Sequence, residues 1–151
     1  MFSFGDNFTI QTQAGQNCFQ VRSKLIAFGD QLSLRDMRGN KVAYISQTFG
    51  FQPRYTILDG SKQRQLAQMV KEWTFFSKKF TLTSGGHVVN IDGNFFAHDF
   101  TFVSGGRCLA RVSKRVFSWS DSYSVEILSD MVDAKVILCA CIIVDQVLHD
   151  D

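Results

Sequence analysis

Proline is nearly missing from this chain of 151 residues: Pro53 stands alone. Almost every backbone N–H is therefore free to join a ladder. Excess charge is also small, at a net +2, so no bulk electrostatic pull toward nucleic acid exists and a nucleic-acid partner is disfavoured. Cysteines number four, Cys18, Cys108, Cys139 and Cys141, without a C-x-x-C spacing, and they read as reduced core thiols. G-x-S-x-G, H-E-x-x-H and P-loop patterns are absent. Met1 to Asn7 have neither a basic region nor an apolar run, so no secretory signal is expected. Phe2 excludes N-myristoylation. The expectation is an intracellular, cytoplasmic protein.

What is abundant is phenylalanine, with 15 copies, in a chain 45% hydrophobic and 20% charged. Such a chain folds as a single domain, here taken as 1–151, with one substantial core. From Phe8 to Leu128 the apolar period is two, as in Leu32/Leu34, Phe80/Leu82 and Phe100/Phe102, and glycine-bearing turns recur between the runs. Twelve strands are expected, near 8–14, 17–22, 25–28, 31–36, 41–47, 53–58, 65–71, 78–84, 87–92, 95–103, 107–113 and 122–128. On the strand 107–113, Cys108, Ala110 and Val112 are expected on one face and Arg107 and Arg111 on the other. An internal repeat runs through them. Leu32-x-Leu34 before Val42-Ala43-Tyr44-Ile45 is matched by Tyr55-x-Ile57 before Leu66-Ala67-Gln68-Met69, and by Phe100-x-Phe102 before Leu109-Ala110-Arg111-Val112. Each return strand carries an alanine at the same place, as expected where something passes close to the sheet.

After Leu128 the period changes, and Ser129 or Asp130 is placed to cap a helix. Val136 to Val144 is apolar on every helical face, so that helix must be surrounded. Nine uninterrupted residues between Lys135 and Asp145 fall short of the roughly 20 that a membrane span needs. Protein must surround it instead. A helix of about 19 residues is ~28 Å long and a strand of about eight spans ~26 Å, so a closed antiparallel barrel of about twelve strands fits around it.

The order and spacing of particular motifs resemble the LURP-one-related family, which is grouped with tubby C-terminal domains and phospholipid scramblases. They are Phe28-Gly29-Asp30, Leu32-x-Leu34-x-Asp36, Val42-Ala43-Tyr44-Ile45, Pro53-x-Tyr55-x-Ile57, Ile91-Asp92-Gly93-Asn94-Phe95, His98-Asp99-Phe100, Ala110-x-Val112-Ser113-Lys114 and Tyr123-x-Val125-x-Ile127, followed by the apolar helix. The resemblance runs essentially end to end. It implies a tubby-like barrel of twelve strands around a central hydrophobic helix. It further implies a domain without enzyme activity, in a superfamily whose tubby members bind phosphoinositide headgroups and whose scramblases are linked to membranes and calcium. No tubby headgroup residue is carried over onto a position here.

Candidate chemistry is sparse. His87, His98 and His149 are isolated, and His98 and Asp99, as strand neighbours, point to opposite faces. Asp92-Gly93-Asn94 offers too few oxygens for calcium and reads as a hairpin turn. No cofactor or metal is expected. Charge is unevenly spread: residues 61–115 hold nine Lys/Arg and three Asp/Glu, and 116–151 hold one and seven. In the basic region Lys78, Lys79, Lys114 and Arg115 are the candidates for anionic lipid headgroups, and Trp73, Phe75, Phe76 and Trp119 for membrane contact. The expected function is peripheral binding of anionic phospholipid; a scaffold that binds a protein partner is the alternative.

Overall fold

The computed structural model describes residues 8–11, 16–24, 31–48, 54–73, 78–94, 99–116 and 121–150. The strands are β1 (Phe8–Gln11), β2 (Asn17–Lys24), β3 (Gln31–Asp36), β4 (Lys41–Thr48), β5 (Arg54–Asp59) and β6 (Gln65–Trp73), then β7 (Lys78–Ser84), β8 (His87–Asn94), β9 (Asp99–Ser104), β10 (Arg107–Val116) and β11 (Asp121–Ile127). One helix, α1 (Ala134–Asp150), follows. All eleven strands form one antiparallel meander in chain order.

The strand expected at 25–28 lies outside the described residues. The expectation of a closed barrel is corrected: no ladder joins β1 to β11 among the described residues. With eleven antiparallel strands the first and last run in the same direction, so they cannot meet as an antiparallel pair.

Alternation places Leu32, Leu34, Ala43, Ile45, Ile57, Ala67, Met69, Phe80, Leu82, Val89, Ile91, Phe100 and Phe102 in one core. The helix completes that core. Val136, Ile137, Cys139, Ala140, Ile142, Ile143, Val144 and Val147 are buried, and Leu138 and Cys141 on the remaining side are half-buried. It packs against β4, β5 and β6. Its cap is Asp133, rather than Ser129 or Asp130: Asp133 Oδ1 accepts from Lys135 N at 2.9 Å, and its carbonyl accepts from Val136 N and Ile137 N. Ser129 Oγ instead accepts from Met131 N, inside the connection.

The internal repeat is real and has a backbone cause. In β3–β4, Leu34 faces Ala43 while Arg35 faces Lys41, which leaves Val42 as the extra residue of a bulge. In β5–β6, Ile57 faces Ala67 and Leu66 is extra; in β9–β10, Phe102 faces Ala110 and Leu109 is extra. Each bulge precedes an alanine that is at most 2% exposed. Ala110 and Val112 are buried and Arg107 and Arg111 exposed, as expected for β10, but the third bulge displaces Cys108, which is only half-buried, and puts fully buried Leu109 directly before Ala110. The pairs Gly85-Gly86 and Gly105-Gly106 all have positive φ, as two-residue hairpin turns require. Asp92-Gly93-Asn94, expected as a turn, is the end of β8: Gly93 pairs with Phe100, whose backbone comes so close that only glycine fits.

Candidate functional site

A meander sends alternate connections to opposite ends of the sheet. One rim carries the turns after β3, β5, β7 and β9 and the exit from β11; the other carries the ends of β6, β8 and β10. The sequence candidates divide between the second rim and residues that are not described. Trp73 ends β6 opposite Lys78, and Lys114 and Arg115 lie in β10 opposite Tyr123 and Ser122. Strands β8 and β9 intervene between the two lysine-bearing strands, a separation of about 14 Å at three strand spacings. Lys79 is exposed but sits directly opposite Glu72, a cross-strand neighbour of opposite charge. Phe75, Phe76 and Trp119 lie outside the described residues, as does His98. His87 is exposed at the start of β8.

The first rim is better built. Strands β3 and β5 each end in an aspartate at the same point of the repeat, Asp36 and Asp59, and each turn that follows folds around that carboxylate. Asp36 Oδ1 accepts from Arg38 N and Asn40 N, both at 2.9 Å, and Oδ2 accepts from Asn40 Nδ2 at 3.2 Å. Asp59 Oδ1 accepts from Ser61 Oγ at 2.8 Å, Ser61 N at 3.2 Å and Arg64 N at 3.4 Å. These bonds set their protonation. Desolvation pushes the Asp36 carboxyl up, but the bonds from Asn40 and Arg38 outweigh it and hold it below its ordinary value. The hydroxyl of Ser61, with the backbone donors of Arg64, Gln63 and Ser61, holds Asp59 below its own against a smaller desolvation penalty.

Around these tied-up carboxylates stand five cations. Arg38, Lys41, Lys62 and Arg64 are exposed, and Arg35 is half-buried, its Nε donating to Ser33 Oγ and its Nη1 to Gly39 O, both at 3.4 Å. Tyr44 lies among them on the outer face of β4, 7% exposed. Lys62 Nζ is 4.3 Å from its ring centroid and Lys41 Nζ is 5.3 Å, so the two ammonium groups lie within about 10 Å of each other. Lys62 holds this position with φ of 62°, unusual for a residue with a side chain. Sequence reasoning missed this cluster. The signal was an aspartate followed five positions later by a cation in two successive repeats, Asp36 to Lys41 and Asp59 to Arg64.

The rim is also where apolar side chains reach solvent. Among the described residues the exposed large hydrophobics are Met37, Val88, Ile127 and Leu128, and all four lie at this end. Met37 stands in the turn beside Arg38. Cys139 is buried, and burial pushes its thiol up to about 12; Cys141 is pushed up by the same cause. Among the described residues no three His, Cys, Asp or Glu side chains are grouped to hold a metal, and no helix is long and apolar enough to cross a membrane.

The molecule is thus an antiparallel meander packed around a terminal helix, with a cationic rim built from repeated Asp-anchored turns. A family model for LURP-one-related proteins matches residues 1–145, and the chain belongs to that family. It is 32% identical over 152 residues to the uncharacterized protein YxjI of Bacillus subtilis strain 168, across 100% of this chain and 91% of that protein. No solved structure matches it.

Proposed function

We propose that this chain is a non-enzymatic, tubby-like domain that docks reversibly on anionic phospholipid, phosphoinositide headgroups included, through the rim of the β3–β4 and β5–β6 turns. One observation carries the reading: Arg38, Lys41, Lys62 and Arg64 are exposed together while the carboxylates among them, Asp36 and Asp59, are occupied inside their turns. Exposed Met37 adds an apolar tip at the same place. Each cation near an anionic leaflet contributes about 1 kcal/mol, and Asp36 and Asp59, which stay ionised among them, offset part of that attraction, so the docking is weak. Such binding is transient and strongly weakened by salt. The site differs from Lys78, Lys79, Lys114 and Arg115, the candidates read from sequence: Lys79 faces Glu72, and the two pairs stand three strand spacings apart.

Vesicle co-sedimentation tests this. Pelleting with phosphatidylserine or phosphoinositide vesicles, but not with phosphatidylcholine alone, is expected at low salt and should disappear in Lys41→Ala/Arg64→Ala. Absence of any lipid-dependent pelleting at low salt overturns the reading.

A further inference from the structure

The β3–β4 and β5–β6 turns are packed onto each other. Gly60 lies outside the left-handed region, yet a Cβ added to it would overlap the Lys41 carbonyl and stand 3.3 Å from Val42 Cα, so only glycine lets the second turn seat on the first. Lys62 follows two residues later, its N–H donating to Asp59 O at 3.0 Å and its φ at 62°. From there its side chain reaches the outer face of β4. Tyr44 pairs with Ser33 on β3 and with Leu58 on β5, so its ring stands between the strands that carry the two turns. One lysine from each turn converges on it: Lys41 Nζ is 5.3 Å from the ring centroid and Lys62 Nζ 4.3 Å. A ring face attracts a cation without cancelling its charge, whereas a carboxylate partner would cancel it.

We infer that Tyr44 is the positioning residue of the docking rim. Its ring gathers Lys41 and Lys62 into a fixed pair, and the contact at Gly60 makes the two turns one preformed unit that meets an anionic headgroup. This role rests on the lipid reading above and adds to it how the cations are held. An exposed lysine samples many rotamers and loses that freedom when it engages a ligand; a lysine already held over a ring loses less. Tyr44 is 7% exposed, so it acts through the two lysines rather than on a headgroup.

Two measurements on the full chain test it. In protein carrying isotope-labelled lysine, the ε-methylene NMR signals of Lys41 and Lys62, assigned through Lys41→Arg and Lys62→Arg, should be shifted upfield by the ring current of Tyr44. The shifts should persist in Tyr44→Phe and vanish in Tyr44→Leu. In co-sedimentation with phosphatidylserine vesicles at low salt, Tyr44→Phe should pellet like the parent. Tyr44→Leu and Gly60→Ala keep every cation, yet each should need about threefold or more lipid for half-maximal pelleting. Unshifted lysine signals in the parent overturn the proposal, and that readout needs no Tyr44 variant to fold. A folded Tyr44→Leu protein that pellets like the parent overturns the positioning role and leaves the lipid reading standing. A parent that shows the ring-current shifts but does not pellet overturns the lipid reading, and this role with it.

Discussion

Lys62 reaches over the ring of Tyr44, with its ammonium 4.3 Å from the ring centroid, from a backbone conformation that lysine rarely adopts. The left-handed backbone costs roughly 1 kcal/mol, and an exposed cation–π contact returns about 0.5–1 kcal/mol. Lys62→Gly therefore removes the strain along with the contact and should leave stability within about 0.5 kcal/mol of the parent. Lys62→Ala keeps the strain and loses the contact, and should be less stable than Lys62→Gly by about 1 kcal/mol in urea unfolding. Both should weaken vesicle pelleting equally, because both remove the same charge.

Acid should loosen the two Asp-anchored turns. Asp36 and Asp59 have folded pKa values held below the ordinary 3.8 by donors that exist only in the folded turns. The unfolded chain then binds protons more readily, so this stabilisation is present above pH 3.8 and is lost as pH falls below it. Asp36→Asn/Asp59→Asn should flatten that part of the acid limb. Thermal melts by circular dichroism between neutral pH and the acid limb would show parallel curves for the two proteins if the assignment were wrong.

Ala67 faces Ile57 beside a bulge, on a strand against which the helix packs, and it is 2% exposed. Ala67→Leu inserts three heavy atoms where no space remains and should cost about 1–3 kcal/mol in chemical unfolding. Val88→Ala, at a 54% exposed position, is the control and should change stability by less than about 0.5 kcal/mol.

The thiol of Cys139 should be inert in the folded chain. It is buried in the helix and pushed up to about 12, so at pH 8 roughly one molecule in ten thousand carries the thiolate that reacts. Dithionitrobenzoate should modify it only at the rate of unfolding, and rapid stoichiometric labelling of Cys139 in the native protein would contradict this placement.

The strands and the buried helix were legible because their signals are local. Phe80 with Leu82 and Phe100 with Phe102 announce strand faces through a period of two, and Val136 to Val144 announces a surrounded helix by having no polar side. Bulges escaped that reading. Leu109 sits one residue before Ala110 and both are buried, and nothing in the alternation of 107–113 reveals that β10 holds two residues opposite one on β9. Asp92-Gly93-Asn94 misled for a related reason: the glycine serves the close approach of Phe100 across the ladder, which no neighbour in sequence reports.

Composition and periodicity by themselves determined that this protein is mainly β, that its last helix is enclosed, and that a repeated hairpin with an alanine recurs along it. One proline, fifteen phenylalanines and a uniformly apolar segment act on each residue's own backbone and solvation, so they can be read in place. Which charges stand together was decided by tertiary structure alone. Arg38 and Arg64 are far apart in sequence yet occupy neighbouring turns of one rim, whereas Lys78 and Lys79 lie on β7 and Lys114 and Arg115 on β10, with β8 and β9 between them. The physical reason is that a meander sends successive turns to opposite ends, so proximity at a rim follows strand order and register rather than distance along the chain.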